Sequence, residues 1–290
     1  MNLVVNNHNV FVIVFVTFLT SLLLVPIVKK TALHICVMDE PNERKVHKVA
    51  MPRLGDLVIY IAFLLGYILY GETTTQMISI LIGSFLLIIV GIFDDINSVP
   101  AKWRFLIQLL TGAVVVIYGK LGFSKLTILG LTINFGPVLG DIVSIIFIAA
   151  ITNAINLIDG LYRIASGISS IYFLTIAIIT IILNRLEGLD MILSLIMLGS
   201  TLGFLFHNFP PAKIFMGDTR SLFLGFIVSV IALLGYKVTT FTSFIIPIIV
   251  LAIPIFATTF AILRRLLKGQ RIAVADKESS NNYICYYMLY

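Results

Sequence analysis

Long apolar runs, broken by short polar stretches, recur along almost the whole chain. They occupy roughly 9–28, 54–70, 77–93, 104–119, 140–157, 167–183, 191–207, 222–237 and 243–262. A helix rises about 1.5 Å per residue, so a run near 20 residues matches a hydrocarbon core about 30 Å thick. Some runs are shorter, and one alone would also suit a buried core helix. About nine in succession predict an all-α integral membrane protein of about nine transmembrane helices. The rhythm changes near 120–139, where Leu126-Thr-Ile-Leu-Gly-Leu-Thr-Ile-Asn134 alternates around Gly130. That stretch predicts a small β-hairpin.

Composition excludes a soluble domain. Hydrophobic residues make up 59%, charged residues only 12%, and the mean hydropathy is +1.08. Soluble domains carry about 25% charged residues. The first apolar run is too long for a signal-peptide core and lacks a small-x-small cleavage site, so it is expected to remain as a span. Alternating the spans sorts the connections into two sets. One set (29–53, 94–103 with Arg104 at its edge, 158–166, 208–221 and the tail from 263) carries every Lys and Arg except Lys120, Lys125, Arg185 and Lys237. The positive-inside rule then puts the N-terminus outside, the C-terminus in the cytoplasm and the hairpin on the external face. The same rule explains the net charge of +6 without a nucleic-acid partner, since the basic residues form no single patch. Cys36 and Cys285 offer neither a disulfide framework nor metal-site spacing.

The conspicuous polar clusters fall on the inner side, where charge beside a span is costly. Asp94 and Asp95 are adjacent carboxylates at the end of a span. They repel each other, and the helix dipole disfavours both. A divalent cation or a proton would relieve the penalty; a solvated helix end is the simpler reading of an isolated pair. Asn153, Asn156 and Asp159 recur every three residues, along one side of a helix. They suit a polar site or interhelical hydrogen bonding equally well. Asn208-Phe-Pro-Pro-Ala-Lys-Ile-Phe-Met-Gly-Asp218 is a long inner loop in which Asp218 offers hard oxygen for Mg²⁺. A proline-rich turn accounts for its prolines but not for Phe215-Met-Gly-Asp218. Arg44, Lys45, His47 and Arg53 in the first inner loop could hold phosphate, or simply attract anionic lipid. Jointly these clusters describe a Mg²⁺-dependent site handling phosphate at the lipid–water boundary.

Four stretches carry a resemblance. Pro41-Asn-Glu-Arg-Lys-Val-His47, Asp94-Asp95 with Ala101-Lys102 and Phe105-Leu-Ile-Gln108, Asn153-Ala-Ile-Asn-Leu-Ile-Asp-Gly160, and Pro211-Ala-Lys-Ile-Phe-Met-Gly-Asp218 resemble the polyprenyl-phosphate N-acetylhexosamine-1-phosphate transferases. This is glycosyltransferase family 4, which also contains phospho-N-acetylmuramoyl-pentapeptide transferase. The Arg44-Lys-Val-His47 loop is more similar to the branch acting on UDP-GlcNAc. The resemblance covers residues 1–277, read as one membrane transferase-like domain. It implies transfer of N-acetylhexosamine-1-phosphate from a UDP-sugar to undecaprenyl phosphate with release of UMP, the first lipid-linked step of a cell-surface glycan. It implies that Asp94 or Asp95 deprotonates or orients the lipid phosphate. Asp218 would ligate Mg²⁺ with Asn156 and Asp159 near it, Phe215 would stack on uracil, and Lys45, with His47 and Arg53, would bind substrate. The implied setting is a bacterial plasma membrane with the active face cytoplasmic; a homodimer is compatible with it.

The chain departs from the family's pattern at several places. Asp56 stands where a second glycine is expected, Tyr162 and Arg163 replace an aspartate and a glycine, and Arg220 replaces a glycine. Ala257 replaces an aspartate, and Glu278-Ser-Ser-Asn-Asn282 stands where a histidine cluster belongs. Residues 278–290 are read as an atypical tail, the mark of a truncation. A catalytically inactive relative is therefore the second reading. An ion or solute transporter is the third, disfavoured because the carboxylates gather at one membrane face.

Overall fold

The computed structural model describes residues 4–35, 38–39, 51–96, 99–123, 125–128, 131–162, 165–209, 212, 214, 216 and 221–238. A short hairpin comes first, β1 (Val4–Val5) with β2 (His8–Asn9). Asn6 and Asn7 form its turn at φ 47° and 64°, the left-handed region that asparagine tolerates and tight hairpins require. Asn9 then caps α1 (Val10–His34), its side chain accepting the Phe11 N–H. A further strand pair, β3 (Met38–Asp39) with β4 (Met51–Pro52), leads to α2 (Gly55–Tyr70). It brings together the two ends of the first polar loop, a pairing the sequence pattern did not suggest.

Next come α3 (Thr75–Ile96) and α4 (Ala101–Ala113), the latter continued by a π-helical segment, Val114–Tyr118. The expected hairpin forms, β5 (Lys125–Ile128) pairing antiparallel with β6 (Leu131–Asn134). Then follow α5 (Pro137–Tyr162), α6 (Ala165–Ile182), α7 (Leu189–Asn208) and α8 (Ser221–Val238). Six of these helices are long and apolar enough to cross a membrane, while Gly55–Tyr70 and Ser221–Gly235 are shorter apolar helices. The protein is thus an all-helical, multi-pass membrane protein. The run at 243–262 lies outside the described residues, as do Ala257 and the tail.

The core is apolar, but large apolar side chains also cover the outside of the bundle. On α1 the large side chains Phe11, Phe15, Leu23 and Ile27 are exposed, whereas Thr17 and Ser21 are buried. Lipid solvates the first group; the Thr17 hydroxyl returns a hydrogen bond to Ile13 O at 2.9 Å. Small residues then permit close backbone approach. A Cβ at Gly199 of α7 would lie 2.0 Å from Thr17 Oγ1 and 2.4 Å from Val14 O, and one at Gly203 would lie 2.4 Å from Phe18 O. Gly199 and Gly203 therefore set a tight parallel crossing of α1 and α7. Gly225 of α8 permits an equally close, antiparallel approach to α5, where a Cβ would meet Thr152 Cα at 2.8 Å.

These crossings align the helix ends. At one end Asn6 Nδ2 donates to Tyr70 O at 3.0 Å, and Arg185 pairs with Asp190 at 3.3 Å. The polar clusters gather at the other, around the ends of α3, α5 and α7 and the starts of α2, α4, α6 and α8.

Candidate functional site

Asp94 and Asp95 occupy the last turn of α3, with side chains 5% and 1% exposed. Two buried neighbouring carboxylates at a helix C-terminus need compensation, and each has an arginine. Asp94 Oδ2 lies 3.2 Å from Arg104 Nη1, at the start of α4, and Oδ1 accepts the Val99 N–H. That carboxylate thus ties the α3–α4 turn together. Asp95 Oδ1 lies 3.8 Å from Arg53 Nη1. Arg53 follows β4, and Leu54 beside it adopts φ 96° as the chain enters α2. A bulky side chain in that region costs on the order of 1–3 kcal/mol, which the surrounding packing must offset. The relief expected from a cation or a proton is supplied at least in part by guanidinium groups.

Asn153, Asn156 and Asp159 share α5 but fan outward. Steps of three residues turn a helix about 60° short of a full circle, so successive side chains drift round the axis. Asn153 exchanges hydrogen bonds with Gln108 of α4. Asn156 Nδ2 donates to Ser221 Oγ of α8 at 3.2 Å. Asp159 Oδ1 accepts the Ala165 N–H, at the start of α6, at 3.3 Å. A carboxylate at a helix N-terminus meets the positive end of the dipole. One polar row therefore fastens three neighbouring helices beside the buried carboxylates.

The α7–α8 connection is anchored from below. Asn208 Nδ2 donates to Ile214 O at 3.0 Å, while Asn208 Oδ1 accepts from Ser166 Oγ of α6 at 3.2 Å. Ile214 and Met216 are both buried. Phe215 and Asp218 lie outside the described residues, as do Lys45 and His47. The structure brings Arg53 to Asp95, and joins Asn156 and Asp159 of α5 to the starts of α8 and α6. Among the described residues no group of three or more Asp, Glu, His or Cys side chains is placed to hold a metal. The donors here are nonetheless hard oxygens, the chemistry Mg²⁺ prefers. Asp159 commits one oxygen to an amide, yet a carboxylate carries about four lone-pair sites and can still accept more.

Sequence reasoning missed Arg104, Gln108, Ser166, Asn208 and Ser221 as partners. Arg104 was legible only as orientation charge, and the others are polar residues within or at the ends of apolar helices.

Residues 77–236 match the family described as Glycosyl transferase family 4. A Bacillus subtilis (strain 168) protein named "Probable undecaprenyl-phosphate N-acetylglucosaminyl 1-phosphate transferase" is 47% identical over 265 residues, which is 90% of this chain and 73% of that protein. A "Decaprenyl-phosphate N-acetylglucosaminephosphotransferase" of Mycolicibacterium smegmatis is 29% identical, covering 86% of this chain and 69% of its own. A "Phospho-N-acetylmuramoyl-pentapeptide-transferase" of Staphylococcus carnosus is also 29% identical, over 78% of this chain and 76% of its own.

Proposed function

This chain belongs to glycosyl transferase family 4, and we infer that it transfers GlcNAc-1-phosphate from UDP-GlcNAc to undecaprenyl phosphate. The observation that carries the reading is the 47% identity, across 90% of this chain, to the Bacillus subtilis protein of that name. In the reaction a phosphate oxygen of the lipid attacks the sugar-bearing phosphorus of UDP-GlcNAc. A new phosphoanhydride bond forms, the old one breaks, and UMP departs with the electron pair. Such a step needs little covalent help from protein; it needs alignment and charge stabilisation.

The residues suit those needs. Asp94 and Asp95 orient the acceptor phosphate or take its proton, and Arg53 and Arg104 beside them hold the anion while offsetting carboxylate repulsion. Asp159 and Asn156 face the donor diphosphate. Lys45 and His47 bind the nucleotide, and Phe215 stacks on uracil. Asp218, with Asn156 and Asp159, offers oxygen ligands to Mg²⁺, which when bound neutralises charge on the diphosphate. The site sits on the cytoplasmic side of a bacterial plasma membrane, in about nine spans with the N-terminus outside. Charge distribution supports that orientation.

The test is the lipid product itself. Purified protein with undecaprenyl phosphate, UDP-GlcNAc and Mg²⁺ is expected to yield undecaprenyl-diphospho-GlcNAc, identified by mass spectrometry. Product with another UDP-sugar but none with UDP-GlcNAc would reassign the donor. A lipid-dependent ion flux in proteoliposomes with no product would favour a transporter.

A further inference from the structure

Gln108 and Asn153 form a reciprocal amide pair between α4 and α5. Gln108 Nε2 donates to Asn153 Oδ1 at 3.3 Å, and Asn153 Nδ2 donates back to Gln108 Oε1. Asn153 Nδ2 also donates to Ala149 O of its own helix at 2.9 Å. Gln108 is 2% exposed. Resting on the transferase reading above, we propose that Gln108 and Asn153 are positioning residues that set the spacing between the acceptor-side and donor-side halves of the site.

The argument is one of leverage. Gln108 lies one helical turn beyond Arg104, whose guanidinium holds Asp94. Asn153 lies one turn before Asn156, which bonds Ser221, and two before Asp159, which bonds Ala165. The pair therefore stands where the two polar halves meet. Apolar ridges alone permit small axial slips between helices. Two antiparallel hydrogen bonds between the amides resist such a slip, because each amide gives the pair one N–H and its carbonyl oxygen and a slip lengthens both bonds at once. At membrane depth no bulk water competes, so a slipped pair would strand polar groups. An axial slip of α4 against α5 moves Arg104, and with it the grip on Asp94 of α3, relative to Asn156 and Asp159. Reacting phosphates must approach within about 3–3.5 Å, and misplacement near 1 Å can cost about 100-fold in rate.

The test combines a distance with a rate. Spin labels replace the exposed side chains of Trp103 on α4 and Leu157 on α5, in a chain whose Cys36 and Cys285 are changed to Ser. In Gln108→Leu the label-to-label distribution is expected to broaden. The kcat for UMP release per folded molecule is expected to fall about 30- to 100-fold, with KM for UDP-GlcNAc held within about threefold, as lost transition-state alignment requires. Gln108→Glu, which keeps the shape and one acceptor bond, gives the same direction should the leucine variant not fold. The swapped double variant Gln108→Asn with Asn153→Gln rebuilds the pair. It is expected to narrow the distribution and to recover at least about tenfold over either single variant. An unchanged distribution in Gln108→Leu and Gln108→Glu overturns the proposal. So does a rate loss that merely tracks the fraction of folded protein. Absence of UMP release from the unsubstituted chain, with distances behaving as expected, sinks the transferase reading and leaves the spacing role intact.

Discussion

Replacing Arg104 by methionine isolates what the arginine does for Asp94. Methionine keeps much of the stem's volume and removes the charge. Asp94, 5% exposed, is left with the Val99 N–H as its described partner. Breaking a fully buried pair costs about 3–5 kcal/mol, because the surviving charge stays desolvated. Arg104 is 31% exposed, so water already screens part of the attraction, and an exposed pair contributes about 0–1 kcal/mol. The expected loss lies between these limits, roughly 1–3 kcal/mol. At about 2–4 °C per kcal/mol for a large domain, the melting temperature in detergent should fall by several degrees. Adding Asp94→Asn removes the stranded charge and should recover most of that loss, while UMP release stays at least about 100-fold down. Differential scanning fluorimetry and UMP release, run on the same preparations, read the two effects. Two results refute the reasoning: an Arg104→Met variant melting with the parent, or a double variant melting no higher than the single.

Three further outcomes follow from the same geometry. Gly203→Leu drives a side chain into the Phe18 carbonyl 2.4 Å from its Cβ and should cost at least about 1–3 kcal/mol; recovery as a monodisperse detergent complex should collapse, whereas Leu19→Ala on the lipid face should leave it intact. UDP-GlcNAc affinity by isothermal titration should drop in EDTA and in Asp218→Ala, and equal affinity in all three conditions removes Asp218 from the metal's ligands. Cysteines placed at Lys125 or Glu187 should label from outside in intact cells, and those at Lys48 or Lys213 should not; external labelling at Lys48 reverses the orientation.

Much of the fold was legible because hydrocarbon thickness forces long apolar runs, and the first eight of those runs correspond to α1 to α8. The hairpin at Lys125–Asn134 was legible for a similar reason, since strict alternation over several residues has few other uses. The pairings were not. Arg53 and Asp95 are far apart in the chain, and nothing local distinguishes Arg53 from a cation attracted to lipid. Asn153, Asn156 and Asp159 announce one helix through their spacing, but their drift round its axis sends them to three partners that only packing selects. The hairpin turning at Asn6-Asn7 was not legible either, since strands of two residues offer no period to read. Gly199 and Gly203 have the spacing of a close crossing without naming the helix they meet.

The central claim, group transfer at this site, is tested most directly by UMP release from UDP-GlcNAc in detergent with undecaprenyl phosphate, run beside the Bacillus subtilis relative. The account predicts release that requires the lipid and Mg²⁺ and vanishes in Asp95→Asn. The rate should fall at least about tenfold below the relative, because the family resemblance sets Tyr162, Arg163 and Arg220 at positions around the nucleotide, and losing one such contact costs about 10²–10³ in rate, losses that do not simply add. No release under conditions where the relative turns over, or release indifferent to undecaprenyl phosphate, contradicts it.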